Sequence, residues 1–128
     1  MEDVKIKLSA LWIARMLTGI QGDVLRFYEA GMLENIINGT TVIPMTNELL
    51  AAMGAMMMLP ILMVFLSVQL DYKLNRWLNI IIALFFIVFD GTGFIVPRPL
   101  YENVFGIGYV LFCALIVWFA WKWPKEKN

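Results

Sequence analysis

Residues Leu49–Leu70 run for 22 positions without one charged side chain. About 20 such residues in a helix cross the ~30 Å hydrocarbon layer of a membrane. This stretch therefore decides the solvent in which the chain folds, and in lipid the backbone must satisfy its own hydrogen bonds as helix or closed barrel. Three further apolar segments follow the same logic. Val104–Trp121 is uncharged and closes on Trp118, Trp121 and Trp123, aromatic residues suited to the interface. Leu74–Phe89 carries Asn75, Arg76 and Asn79 near its start and then runs apolar to Asp90. Leu8–Tyr28 is interrupted by Arg15, Gln21, Asp23 and Arg26. Its uncharged start, Leu8–Ala14, is too short for a signal peptide.

Composition agrees. The chain of 128 residues is 61% hydrophobic and 16% charged, against about 45–50% and 25% in a soluble domain. Ten basic residues balance ten acidic ones, leaving no excess with which to bind nucleic acid. There is no histidine and one cysteine, Cys113. That excludes imidazole chemistry, a disulfide within the chain, thiolate metal clusters and the Ser-His-Asp arrangement. No catalytic residue, metal site or cofactor is predicted.

Charge placement sets the expected topology. Lys5 and Lys7 precede the first segment, Lys73 and Arg76 fall between the second and third, and Lys122, Lys125 and Lys127 follow the fourth. Basic loops stay in the cytoplasm. The prediction is an all-α integral membrane protein, one domain over residues 1–128. It is a four-transmembrane-helix antiparallel bundle with spans at about 8–28, 49–70, 74–89 and 104–121 and both termini cytoplasmic. The short connection at Asp71–Lys73 predicts a tight antiparallel pair of spans two and three. Between spans one and two, Met32, Leu33, Ile36 and Ile37 fall on one face of a short surface helix ended by Asn38-Gly39. Pro44 ends an extended piece, and Thr46 or Asn47 caps span two. The stretch Phe94–Val96 is expected to re-enter the interface, and Pro60 to bend span two as a packing feature.

Intramembrane charges need a reason, because each costs about 2.5–3.5 kcal/mol on insertion scales. At about 100° per residue, Arg15, Thr18, Gly22, Arg26 and Glu29 share one stripe of span one. Asn75, Asn79, Ala83, Phe86 and Asp90 share one stripe of span three. Both stripes must face the bundle. Asp23 lies about 24 Å along the helix from Lys7 at 1.5 Å per residue. Glu48, Asp90 and Glu102, at the ends of three other spans, fall at that level too. The expectation is an outward-facing acidic cavity with Asp23, Arg26, Glu48, Asp90 and Glu102 as ligand-binding residues. Asp23 is its buried charge, Arg26 the partner, and Glu48 and Asp90 the rim. Taken singly, Glu48 and Glu102 also suit a helix N-terminus as dipole partners. Arg15 either snorkels inward, contacts Asn79 or offsets Asp23. Met53, Met56, Met57, Met58 and Met63 read as core or lipid-facing filler. Cys113, among apolar residues, reads as inert.

Trp12-Ile13 in span one, Asn75-Arg76-Trp77-Leu78-Asn79 heading span three and the closing Ala120-Trp121-Lys122-Trp123 resemble small prokaryotic membrane families of the DoxX-like kind. The resemblance covers the whole chain but rests on layout and carries over no active-site residue. It implies a multi-pass protein of a prokaryotic cytoplasmic (inner) membrane, in a group some of whose members are tied to quinone-linked oxidation or redox partners. The layout is also similar to sterol-isomerase-like bundles, by analogy alone.

The expected function is to bind or move a small amphiphile, lipid or ion in the cavity, without catalysis. The partners that follow are membrane lipid or a small amphiphilic ligand. A structural or accessory subunit is the alternative, its partner a second copy or another membrane protein. A quinone-linked or isomerase-type enzyme comes third, because it would have to work from a carboxylate pair alone.

Overall fold

The long uncharged run folds as a single helix that passes through Pro60. The computed structural model describes residues 2–41 and 44–123. In chain order the helices are α1 (Glu2–Arg26), α2 (Met32–Asn38), α3 (Asn47–Gln69), α4 (Tyr72–Gly91) and α5 (Leu100–Trp121), with one 3-10 turn at Thr92–Phe94. Among the described residues there is no strand. Lys125 and Lys127 of the charge pattern, and Val42 and Ile43 before Pro44, lie outside the described residues. Three helical segments are long and apolar enough to cross a membrane: Asn47–Gln69, Tyr72–Phe94 and Leu100–Trp121. The fourth long helix, α1, reaches about 37 Å at 1.5 Å per residue but carries charge along its length.

Local sequence explains the ends. Thr46 caps α3, its hydroxyl accepting from the Leu49 amide at 3.1 Å. Gly31 and Gly39 flank α2 at φ 78° and 69°, values that favour glycine. The C-terminus of α5 is held by Arg76, whose Nε and Nη2 donate to the carbonyls of Ala120 and Trp121 at 3.0 and 3.3 Å. That sets a cation where the helix dipole is negative. The helices start two to six residues ahead of the apolar runs, because polar residues continue a helix as readily as apolar ones.

α1 lies between α3 and α5, and α4 packs against α5. The pairing of α3 with α4 is a correction to the sequence reading: these consecutive helices are the least packed of the four neighbours. The cause is α1, which sends two large side chains across to α4. Trp12 Nε1 donates to Asn79 Oδ1 at 2.7 Å, and Arg15 Nη2 reaches Asp90 Oδ2 at 2.8 Å. α3 and α4 meet through hydrogen bonds near their connection, where Asn75 Nδ2 donates to the Ser67 carbonyl at 2.7 Å.

The core sits toward the end of the bundle where α1 begins and α5 ends. It joins Leu8, Trp12, Met63, Ile80, Ala83, Phe86, Cys113, Ile116 and Ala120, with the Trp12 and Phe86 rings edge to face at 6.2 Å. Toward the α2 end packing thins. Residues 47–55 of α3 are all exposed except half-buried Leu49, whereas Pro60, Met63 and Ser67 further along are buried. The expected short helix forms as α2, with no residue buried in the bundle. In the loop after α4, Phe94 lies under Arg98, and Ile95 and Val96 are exposed.

Candidate functional site

Four-residue and three-residue steps along α1 carry Arg15, Thr18, Gly22 and Arg26 onto one face, with Glu29 just past the helix end, and that face meets α5. Thr18 lies against Gly108, Gly22 against Tyr109 and Phe105, and Arg26 against Glu102. Tyr101 donates its hydroxyl to Glu29 Oε1 at 2.8 Å. The two helices therefore run antiparallel. Glycine matters at position 22, where a β-carbon would come within 3.1 Å of the Tyr109 hydroxyl. The absence of a side chain lets that phenol lie close to the α1 backbone.

Two polar centres lie near the terminal end and mid-bundle. In the first, Trp12 and Ser67 both donate to Asn79 Oδ1, at 2.7 and 3.2 Å, and Asn79 Nδ2 donates to the Asn75 carbonyl and Oδ1 at 2.8 and 2.6 Å. All four residues are fully buried. A closed network of this kind ties three helices together and offers nothing to a ligand. The second is the Arg15–Asp90 ion pair, whose side chains are 11% and 9% exposed. The Arg15 guanidinium lies 4.1 Å from the Phe86 ring centre and 5.2 Å from that of Tyr109, two cation–π contacts inside a dry core.

Beyond Tyr109, toward the α2 end, a cleft of about 70 Å³ opens between α1 and α5. Gly22, Asp23 and Arg26 line it from α1, Tyr101, Glu102, Phe105 and Tyr109 from α5, and Arg98 from the connection between α4 and α5. Arg26 Nη2 meets Glu102 Oε1 at 3.4 Å, with side chains 42% and 22% exposed. Such a long, wet contact contributes little stability. Arg98 is fixed more firmly. Its Nε donates to Asn103 Oδ1 at 2.7 Å, and its guanidinium lies 4.8 Å from the Phe94 ring centre. A β-carbon on Gly93 or Gly106 would collide with that guanidinium, so the two glycines form its cradle.

Several sequence expectations need correction. Asp23 is exposed and forms no ion pair among the described residues, because Arg26 turns to Glu102 instead. Asp90 is no rim residue; Arg15 draws it into the bundle. Arg15 accordingly does not snorkel inward. Glu48 lies exposed in the first turn of α3 and does not line the cleft. The five predicted residues thus divide: Asp23, Arg26 and Glu102 share the cleft, Asp90 belongs to the buried pair, and Glu48 stands apart. Two acids and two arginines line the cleft, so it is balanced rather than acidic. Among the described residues no group of His, Cys, Asp or Glu is arranged to hold a metal ion.

Tyr101, Phe105 and Tyr109 escaped the sequence reading, though a signal existed: with Glu102 they step along one face of α5. Charge placement sets Arg98 at a segment end near the acids; its place in the cleft was not readable, because it follows a proline in a loop and no periodicity marks it.

The family described as "Family of unknown function (DUF6326)" matches residues 1–128 of the chain. No curated protein and no solved structure matches it.

Proposed function

Because the chain belongs to DUF6326, a family of unknown function, its relatives supply no activity, and we propose from the cleft itself that the protein binds a small amphiphile in the membrane. The observation that carries this reading is the make-up of one cavity: charges of both signs at Asp23, Arg26, Arg98 and Glu102 meet an aromatic wall of Phe105 and Tyr109. Polar groups that fix a head and rings that receive an apolar portion are what an amphiphile needs. A bare metal cation fits worse, since the acids are not clustered and two guanidinium groups face them. The reading is of binding or movement, not of chemistry on the ligand.

The same proposal includes α1 as a fourth span, both termini in the cytoplasm, and residence in a prokaryotic inner membrane. Support for the fourth span comes from how α1 distributes its residues. Its charged seam meets α4 and α5, while Ile6, Ile13, Leu17, Ile20 and Val24 form an exposed apolar stripe that suits lipid. Kinship with DoxX-like bundles belongs to this reading too, and rests on helix layout.

Native mass spectrometry of the protein in mild detergent tests the ligand. The wild type is expected to retain a small amphiphile from its membrane. The Arg26→Gln, Glu102→Gln double variant is expected to lose it at an unchanged melting temperature. Equal retention by both would sink the proposal.

A further inference from the structure

The unmet valences of the cleft identify the head of its ligand. Resting on the binding reading above, the geometry points to an oxyanion, the carboxylate or phosphate head of an amphiphile, held between Arg26 and Arg98. Both acids are accounted for: Glu102 accepts from Arg26, and Asp23 is exposed to solvent. The donors are not. Arg26 Nε and Arg98 Nη2 are buried without a hydrogen-bond partner among the described residues. Arg98 donates to a neutral amide oxygen, lies on an aromatic face and feels the Asp90 carboxylate at longer range, but makes no ion pair among the described residues. A buried N–H left unmet is costly, and a guanidinium satisfies it best on an oxygen-bearing anion, two bonds at a time.

Size agrees with this assignment. A space of about 70 Å³ holds a few heavy atoms and not a hydrocarbon chain. The head alone enters, and the tail stays among the apolar side chains outside. The charge balance agrees as well. With Asp23, Glu102, Arg26 and Arg98 summing to zero, a bound monoanion leaves the cleft at one negative charge, open to water on the Asp23 side. A cationic head would instead stand against two arginines.

The test is a thermal-shift titration of the full chain in dodecyl maltoside, with dodecyl phosphate, inorganic phosphate and dodecyltrimethylammonium as probes. Dodecyl phosphate is expected to raise the melting temperature saturably. Arg98→Gln and Arg26→Gln are each expected to weaken that effect about tenfold, the loss of one charge-assisted bond. Lys122→Gln, which removes a cation at the other end of the bundle, is expected to leave it unchanged. An equal response to inorganic phosphate keeps the oxyanion site and identifies a free anion as its occupant; a response to dodecyl phosphate alone identifies a lipid or fatty head. Stabilisation by dodecyltrimethylammonium alone overturns the oxyanion assignment and leaves the amphiphile reading standing. No saturable response to any probe overturns both. A Lys122→Gln loss equal to that of the arginine variants reduces the effect to micelle charge and overturns the assignment. If Arg98→Gln does not fold, the half-exposed Arg26→Gln carries the test alone.

Discussion

Arg15 and Asp90 form the one ion pair among the described residues whose two side chains are both nearly buried. Removing one partner of such a pair leaves an uncompensated charge and costs about 3–5 kcal/mol, whereas replacing both with apolar groups is often neutral. Asp90→Asn should therefore lower the melting temperature markedly, and Arg15→Met with Asp90→Leu should recover most of the loss. Asp23→Asn, at an exposed and unpaired acid, should leave it within about 0.5 kcal/mol of wild type. Thermal melts of the four proteins in one detergent decide the matter, and a larger effect at Asp23 than at Asp90 would contradict the structure. Arg15 stood out in the sequence as a charge inside an apolar segment, and Asp90 as the charge that ends one. Their partnership did not. A helical wheel gives the face on which a side chain lies, but not the height at which a long guanidinium meets a residue 75 positions away. The same blindness hid Trp12 and Ser67, whose donors complete the asparagine network from two other helices.

Helices were more legible than their neighbours. The stripe of α1 does turn into the bundle, since small and charged residues at steps of three and four allow no other burial in lipid. The partner of that stripe, α5, was not readable from spacing. Connection length misled at α3 and α4: two residues, Leu70 and Asp71, join them, yet Trp12 and Arg15 of α1 stand across the gap. This packing separates two substitutions of similar size. Gly22→Leu puts a side chain where the Tyr109 hydroxyl lies and should force α1 from α5, with a loss of about 1–3 kcal/mol from overpacking. Ala51→Leu, in the exposed part of α3, should stay within about 0.5 kcal/mol. Chemical melts of both variants measure the difference; equal losses would mean that α3 is packed over its whole length.

At the scale of the molecule, three of the four apolar segments read from the sequence are helices long and apolar enough to cross a membrane. The fourth long helix is the harder one to read: Arg15 and Arg26 pair with α4 and α5, Asp23 stays exposed, and Ile13, Leu17 and Ile20 are exposed on another face. Reporter fusions at each terminus should both be cytoplasmic if α1 spans, and on opposite sides if three helices do. The uneven packing of α3 bears on how this chain can change over generations. Where residues 47–55 bury little on any side, a mutation meets lipid or water rather than a neighbouring side chain. Apolar types can replace one another there by drift, while Pro60, Met63 and Ser67, a few turns along the same helix, are held to their shapes by what they touch.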